Sequence, residues 1–261
     1  MKIALIGSGK IGSVLIKRLI ASGFIHKDNM LACDVDEARL KELRERLGIM
    51  VSMDNKEGAR FGDIILIAVL PKQVREVLQG ISPEIDETKT VVSVAGLFAT
   101  RKIEDILAKK VGVVRIMPNI PSLVGSGFNL ISFGRFVKDR EVIRKMLATW
   151  GEYREIDEDE DKMELYQIIT AMGPTYFFPF LDVLISFGTE NGLSEREARE
   201  AACLTLMGTG DIALKVQRSV EDLKNMIGSR PIKDKEEYLR SMLREALSKT
   251  LRELMELRER I

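Results

Sequence analysis

The residues with the clearest chemistry in this sequence of 261 residues lie close to its first position. Gly7, Gly9 and Gly12 have G-x-G-x-x-G spacing; a short apolar run at residues 3–6 precedes them, and apolar residues at helical period follow. A strand, a glycine turn and a helix in this order are typical of a site for the pyrophosphate of a dinucleotide, because the backbone can come close and the helix start offers free amides. The turn is therefore predicted to bind a dinucleotide through Gly7, Ser8, Gly9, Lys10, Ile11 and Gly12.

Asp34 is an acidic residue at the distance from this turn at which such sites bind the adenosine ribose. It follows a predicted strand at residues 30–33, and the expected spacing is about twenty residues. A carboxylate at this place accepts hydrogen bonds from the ribose hydroxyls and repels a 2′-phosphate. The sequence therefore favours NAD over NADP, although Arg39 lies near enough to oppose that preference. A simple strand-end or helix-cap role for Asp34 is the alternative.

Strands alternate with helices over the first part of the chain, and this alternation must position those residues. It predicts an α/β fold with a Rossmann-type, doubly wound and mostly parallel sheet. Ligands of such sheets bind at the carboxyl ends of the strands. Gly9, Asp34, Leu70, Ala95 and Asn119 all follow predicted strands, so we expect them to meet at one edge. The predicted strands are residues 3–6, 30–33, 49–53, 63–69, 90–96, 111–117, 128–133 and 152–156.

The pattern becomes helical after the acidic run at residues 157–161, which we interpret as a solvated linker and helix start rather than a metal site. Helical periodicity continues from residue 163 to residue 260, and Ser194 with Glu197 forms a predicted capping box. We therefore predict a dinucleotide-binding domain at residues 1–157 and an all-α domain at residues 158–261. The apolar surfaces of the second domain suggest a homodimer or a higher homo-oligomer.

Composition and charge exclude several other classes of protein. Forty Lys and Arg residues balance forty Asp and Glu residues, which argues against a nucleic-acid partner. The sequence starts without a basic and apolar leader and has no uncharged apolar stretch of membrane-spanning length, so we expect a cytoplasmic protein without a membrane partner. Cys33 and Cys203 have no motif spacing, and no metal site is predicted.

Several further segments are similar to one known family, over essentially the whole chain. They are Asp54-Asn55, Ala68-Val69-Leu70-Pro71, residues 92–95, residues 115–121, residues 124–127, Thr170-Ala171 and residues 173–176. With the glycine turn, these segments resemble pyrroline-5-carboxylate reductases. The resemblance implies a reductase that uses NAD or NADP to reduce a cyclic imine, pyrroline-5-carboxylate or a relative, with a dimerising helical domain.

The resemblance also implies roles for individual residues. Asn55 would contact the adenosine end of the cofactor, and the residues that would bind it near the nicotinamide are Ala68, Val69, Leu70, Pro71, Ala95, Gly96, Met117 and Asn119. Reduction of an imine needs little acid–base chemistry, since the substrate iminium is already electrophilic and the cofactor supplies the hydride. The candidates that would orient the imine or donate a proton are Asn119, Thr170, Thr175 and Tyr176. Arg230 would bind a substrate carboxylate.

The sequence departs from the family pattern at four places, and one of them is Ala95-Gly96-Leu97, where the family has Ala-Ala-Gly. Leu70 stands where the family has a lysine, residues 172–175 shorten a glycine-rich segment, and residues 225–231 replace the late glycine- and threonine-rich loop that holds substrate. Two alternatives therefore stay open. One is a non-catalytic or regulatory paralogue that keeps the nucleotide fold. The other is a relative of 3-hydroxyacid dehydrogenases, in which Lys162 would be the acid–base residue.

Overall fold

The computed structural model describes residues 1–260. Ile261 and the side chains of Glu158, Asp159 and Asp161 lie outside the described residues. The predicted solvated linker therefore falls partly outside them. The backbone of the acidic run forms a short 3-10 turn, Asp157–Lys162. Within the described part of the chain, no group of three or more His, Cys, Asp and Glu residues is arranged to hold a metal ion.

An eight-stranded sheet forms the first part of the chain, in the order β3-β2-β1-β4-β5-β6-β7-β8. Neighbouring strands are parallel except β6 and β7, which are antiparallel, so the predicted mostly parallel, doubly wound sheet is confirmed. Each predicted strand is present, with ends shifted by a few residues. The strands are β1 Ile3–Ile6, β2 Met30–Cys33, β3 Met50–Ser52, β4 Ile64–Ile67, β5 Thr90–Ser93, β6 Gly112–Met117, β7 Gly127–Phe133 and β8 Gly151–Glu155.

Helices connect the strands and then continue to the end of the described chain. Those between strands are α1 Lys10–Ala21, α2 Glu37–Leu47, α3 Asn55–Phe61, α4 Pro71–Ile81, α5 Thr100–Leu107 and α6 Arg140–Ala148. Those after the sheet are α7 Met163–Ile169, α8 Gly173–Glu190, α9 Glu195–Lys215, α10 Val220–Asn225 and α11 Glu236–Arg260. The predicted architecture of a sheet domain followed by helices is confirmed.

The sheet is covered on both faces, which explains why its central strands are continuously apolar. Along β1, Ile3 and Leu5 belong to one buried cluster, with Trp150 among its members. Ile6 belongs to a second cluster on the other face, with Val74 and Leu78 of α4. All four residues of β1 are fully buried. This strand pairs with both β2 and β4. Strands β2 and β3 are therefore added on one side of β1, and the strands from β4 onward are added on its other side.

The chain divides into two compact units. The first contains Met1–Ala171 together with Thr250–Ile261, and the second contains Met172–Lys249. Helix α11 therefore contributes to both units. The compact units divide after Ala171, whereas the sequence predicts that the helical domain begins at residue 158. The predicted boundary between residues 157 and 158 stays a prediction.

In the second unit, α8 and α9 pack against each other, and a Cβ on Gly188 would lie only 3.0 Å from the Cβ of Ala198. The absence of a side chain at Gly188 thus lets the two helices approach closely. The capping box predicted at the start of α9 is present: the Ser194 hydroxyl accepts from the Glu197 amide at 3.3 Å, and the Glu197 carboxylate accepts from the Ser194 amide at 2.9 Å.

Helix α8 exposes large apolar side chains. They include Phe177, Phe178, Phe180, Val183, Leu184 and Phe187. Among the described residues, the stretch Met163–Glu190 is long and apolar enough, by length and composition alone, to cross a membrane, and 11% of its most apolar part is buried. The sequence prediction found no uncharged stretch of that length because Asp182 interrupts it. Exposed apolar surface of this kind marks contact with another protein or with a membrane.

Candidate cofactor-binding and active site

The three glycines after β1 have different structural reasons to lack a side chain. Gly7 has a φ of +95°, which residues with a side chain rarely adopt, and a Cβ there would come within 2.8 Å of the Ala68 carbonyl. A Cβ on Gly12 would lie 2.3 Å from the Gly7 carbonyl oxygen. Around Gly9, by contrast, nothing lies within 4 Å of a Cβ position. Two glycines therefore allow close packing, and Gly9 leaves open space beside the backbone.

The first turn of α1 is suited to an anion. Gly9 is the N-cap residue of α1, no side chain caps this end, and its first turn has no acidic residue. The backbone amides of a helix start that lack side-chain acceptors, together with the helix dipole, attract phosphate. The open space at Gly9 and these amides fit the pyrophosphate of a dinucleotide.

Asp34 is buried and connects this turn to the end of β2. Its Oδ2 atom accepts hydrogen bonds from the Ser8 amide at 2.6 Å and the Ser8 hydroxyl at 2.8 Å, and its Oδ1 atom accepts from the Asp36 amide at 3.0 Å. A carboxylate has about four acceptor positions, so one position on Oδ1 is left for a ribose hydroxyl. The strand-end role and the ribose role that the sequence offered as alternatives are therefore compatible in this geometry.

The charge of Asp34 is held by its surroundings. Burial by itself raises the pKa of this carboxyl, but the hydrogen bonds from Asp36 and Ser8 and the nearby Arg39 lower it below its ordinary value. The Arg39 Nη1 atom lies 3.9 Å from Asp34 Oδ2, and its Nε atom lies 3.1 Å from Asp36 Oδ2. The carboxylates of Asp34 and Asp36 and the guanidinium of Arg39 thus lie together at the place expected for the adenosine ribose.

A cleft of about 570 Å³ runs along the carboxyl ends of the strands. Its volume is in the range of about 300–1,000 Å³ that is usual for cofactor sites. It extends past Asp34 at the end of β2, the glycine turn after β1 and the ends of β4 and β5. The predicted cofactor-binding residues that line it are Gly7, Gly9, Lys10, Ile11, Asp34, Asn55, Ala68, Val69, Leu70, Pro71, Ala95 and Gly96.

Four predicted cofactor-binding residues do not line the cleft. Ser8 is buried behind it and contacts Asp34, and Gly12 packs against Gly7 as described above. Met117, at the end of β6, is 5% exposed and belongs to a small apolar cluster with Leu130 and Met163. The fourth, Asn119, lies two residues beyond β6.

Asn119 holds two elements together. Its Nδ2 atom donates to the Thr170 carbonyl at 3.3 Å, and its Oδ1 atom accepts from the Phe128 amide at 3.2 Å. The Thr170 hydroxyl donates to the Tyr166 carbonyl at 2.9 Å within the same helical segment. The structure thus brings Asn119 and Thr170 together, and both polar side chains already form hydrogen bonds inside the first unit.

The other three residues predicted on the substrate side, Thr175, Tyr176 and Arg230, lie in the second unit. The Thr175 hydroxyl donates to the Met172 carbonyl at the start of α8. Arg230 donates to Glu236 Oε1 and, at 2.9 Å, to Asn225 Oδ1, with its side chain 17% exposed. Hydrogen bonds from Lys224 and Arg230 lower the pKa of Glu236 to about 2. Arg230 therefore has an anionic partner within its own unit, and a substrate carboxylate would compete with Glu236 for it.

Several residues at the cleft were not predicted from the sequence. Val35, Gln73 and Val77 line it. Gln73 was detectable, because it lies three residues after Leu70, and its Oε1 atom accepts from the Leu70 amide at 3.3 Å, as in a capping box. Gln167 on α7, which lies against Gly96, had one weak signal, a polar residue within an apolar helix.

The fold and the cleft together define a protein of the Rossmann-type, dinucleotide-binding oxidoreductase class. Residues 2–96 match the family model of "NADP oxidoreductase coenzyme F420-dependent", and residues 160–256 match that of "Pyrroline-5-carboxylate reductase dimerisation". The pyrroline-5-carboxylate reductase of Methanosarcina acetivorans is 31% identical over 87% of this chain and 84% of that protein. That of Corynebacterium melassecola is 30% identical over 87% of this chain and 85% of that protein.

Solved structures give the same result. The pyrroline carboxylate reductase of Plasmodium falciparum with NADP bound superposes with a TM-score of 0.83 and 25% identity, over 99% of this chain and 97% of that one. The Coxiella burnetii pyrroline-5-carboxylate reductase superposes with a TM-score of 0.76 and 26% identity, over 99% and 97% of the two chains. This chain belongs to the pyrroline-5-carboxylate reductase family, as its motifs predict.

Proposed function

We propose that this protein reduces pyrroline-5-carboxylate, or a closely related cyclic imine, to the saturated amino acid with a reduced nicotinamide dinucleotide. The observation that carries this proposal is the cleft, in which Gly9, Asp34 and Gly96 line one continuous surface along the strand ends in a member of this family. An NAD(P)-dependent oxidoreductase acting on a C=N bond follows from the same two facts.

We propose that different residues of the first unit bind different parts of the dinucleotide. The amides after Gly9 would hold the pyrophosphate, Asp34 the adenosine ribose, and Asn55 the adenosine end. A bound reduced nicotinamide supplies the hydride for the imine carbon. The chain needs to fix the geometry and exclude water, and the apolar side chains of Val69 and Leu70 contribute to that wall.

The substrate side rests on residues that the cleft does not include. We propose that Asn119 and Thr170 position the end of α7, and that Thr175 and Arg230 contact the substrate. For Arg230 this requires an exchange of Glu236 for the substrate carboxylate, both of which are bidentate acceptors for a guanidinium.

For the cofactor we propose a preference for NADH over NADPH. Asp34 and Asp36 put negative charge at the ribose position, and a 2′-phosphate would be repelled there. Arg39 forms ion pairs with both carboxylates, so its charge is largely neutralised by them. The Plasmodium falciparum structure has NADP bound, and we expect this chain to differ from it in preference.

We further propose that the helical unit forms a homodimer or higher homo-oligomer through the exposed apolar side chains of α8. The dimerisation family model covers residues 160–256, which include this helix, and burial against a second subunit would remove the apolar surface from water. A location in the cytoplasm and the absence of membrane and nucleic-acid partners stay predictions of the sequence.

The test is an assay of NADH and NADPH oxidation with pyrroline-5-carboxylate, followed by the nicotinamide absorbance, with dinucleotide binding measured in parallel. Turnover faster with NADH supports the proposal. Binding of dinucleotide without turnover of this or other cyclic imines would select the non-catalytic paralogue. Oxidation of 3-hydroxyacids alone would select the dehydrogenase alternative.

A further inference from the structure

A buried hydrogen-bond acceptor without a donor lies next to the cleft. The Oε1 atom of Gln167 on α7 is buried, and it has no hydrogen-bond partner among the residues that the structure describes. A Cβ on Gly96 would be 3.5 Å from this atom and 3.9 Å from Nε2 of the same side chain. Since Gly96 lines the cleft, the Gln167 amide lies against the end of the cleft that follows β5.

Helix α7 is fixed at both ends, so Gln167 is presented from a rigid support. In its first turn, Glu164 Oε1 accepts from the Nη2 atom of Arg115 on β6 at 2.8 Å, and both side chains are almost fully buried. Just beyond its last turn, the Thr170 carbonyl accepts from Asn119 at 3.3 Å. Two polar contacts to the segment of β6 and its following loop thus hold the helix on either side of Gln167.

The order of the strands shows which part of a dinucleotide lies near this acceptor. The proposed ribose residue Asp34 follows β2, the glycine turn follows β1, and Gly96 follows β5, two strands beyond β1 on the side away from β2. A dinucleotide with its adenosine at Asp34 and its pyrophosphate at the turn therefore extends its nicotinamide toward Gly96. The nicotinamide ring carries a carboxamide, whose NH₂ group is an N–H donor.

We propose that Oε1 of Gln167 accepts a hydrogen bond from the nicotinamide carboxamide and so fixes the rotation of the ring in the cleft. This inference rests on the proposed function for the presence of the cofactor, and it adds a positioning residue to it. A buried acceptor that lacks a donor is unfavourable, and the carboxamide NH₂ group supplies one. Which face of the ring meets the substrate is then set in part by Gln167.

The experiment compares binding of NAD with binding of its 3-acetylpyridine analogue, in which a methyl ketone replaces the carboxamide and no N–H donor remains. The dissociation constants are measured by titration calorimetry without any imine. NADP and its 3-acetylpyridine analogue, which carry the 2′-phosphate, are measured in the same way. The variant is Gln167→Met, which keeps the length of the side chain and removes the oxygen. Gln79→Met is the matched control, because Gln79 is exposed on α4 and is not among the residues that line the cleft.

The wild-type protein is expected to bind NAD more tightly than the analogue by roughly three- to tenfold, the range of one net hydrogen bond. In Gln167→Met the two affinities should become equal within about twofold, while Gln79→Met keeps the wild-type ratio. Each ratio is taken within one variant, so a loss of folded protein affects both ligands alike. An unchanged ratio in Gln167→Met, or no discrimination by the wild-type protein, overturns the role of Gln167 and leaves the proposed function standing. Failure of the wild-type protein to bind any of the dinucleotides overturns both.

Discussion

Ser8 donates two hydrogen bonds to the same oxygen atom of Asp34, one from its backbone amide at 2.6 Å and one from its hydroxyl at 2.8 Å. The Gly7 amide also donates to the Cys33 carbonyl at 2.8 Å. The glycine turn after β1 and the end of β2 are therefore joined by side chain and backbone together. Asp34 has a structural role in the turn as well as its proposed role at the ribose, and the two roles can be separated by substitution.

Asp34→Asn removes the negative charge and keeps one acceptor oxygen. We expect the affinity for NADPH relative to NADH to rise by about tenfold, which corresponds to about 1.4 kcal/mol, because the repulsion of a 2′-phosphate is reduced. Both dissociation constants are measured by fluorescence titration. Ser8→Ala is the control: it loses one bond to Asp34 but keeps the charge, so the ratio should stay unchanged. A wild-type protein that binds NADPH at least as tightly as NADH contradicts the proposed preference.

The lowered pKa of Asp34 predicts a dependence of stability on pH. A carboxyl whose pKa is lower in the folded than in the unfolded chain stabilises the fold above the unfolded value, which is about 3.9 for Asp. This contribution is lost as the pH falls through the folded pKa. The free energy of unfolding in urea, measured from neutral to acidic pH, should therefore exceed that of Asp34→Asn by a constant amount above about pH 5 and by less below it. A difference that grows on acidification contradicts the sign.

Gly9→Ala should lower mainly the affinity for the dinucleotide, whereas Gly12→Ala should lower the stability of the fold. A methyl group on Gly9 has open space in the protein, so the melting temperature should hardly change while dinucleotide affinity falls. A methyl group on Gly12 would meet the Gly7 carbonyl oxygen at 2.3 Å, and overpacking of this kind costs about 1–3 kcal/mol. Thermal unfolding and dinucleotide titration of both variants check this. Equal losses of stability in the two variants would show that the space at Gly9 is needed for folding itself.

Arg115 should be important for stability, since it is 1% exposed and pairs with the buried Glu164. Removal of one partner from a buried ion pair costs about 3–5 kcal/mol, so Arg115→Ala should lower the free energy of unfolding by that amount. Arg144 pairs with Glu155 at 2.6 Å on the surface, and exposed pairs contribute about 0–1 kcal/mol. Arg144→Ala is therefore the matched control. Urea unfolding of the two variants should separate them clearly, and similar values would contradict the prediction.

The proposed oligomer depends on the exposed apolar face of α8. Phe187→Lys places a charge on this face and should shift the protein toward the monomer, because an unpaired charge in an apolar contact is strongly unfavourable. Sedimentation velocity measures the change. Glu45→Lys, on the exposed surface of α2, changes charge without touching α8 and should leave the oligomeric state unaltered. Sedimentation of the unmodified protein as a monomer would contradict the proposal.

Much of the lining of the cleft could be predicted because its signals are local. The glycine spacing, the apolar strand before it and the acidic residue after β2 lie within a few tens of residues, and each has a direct physical reason. Helix α3 was missed, since its seven residues include a glycine and few apolar side chains. A signal in the sequence that could have predicted α3 is its N-cap residue, Asp54, whose side chain accepts from the Lys56 amide at 2.8 Å.

The contacts around α7 could not be predicted. Arg115 and Glu164 are separated by 49 positions, and nothing in the sequence indicates that a carboxylate in an apolar helix meets an arginine in an apolar strand. The same holds for Asn119 and Thr170, and for the unpaired oxygen of Gln167. Pairings of this kind depend on the tertiary packing of the sheet and its last helix.

Helix α11 begins in the second compact unit and ends in the first, where Arg258 Nη1 lies 3.3 Å from Glu164 Oε2. During synthesis, residues 1–171 leave the ribosome well before residues 250–260, at about 5–20 residues per second. Residues 1–171 therefore cannot form the contact between Glu164 and Arg258 until all of the second unit has been synthesised. A protein cut at the unit boundary would keep every residue that lines the cleft but lose the contact of Arg258 with the buried Glu164, so the order of translation and the order of complete folding differ in this chain.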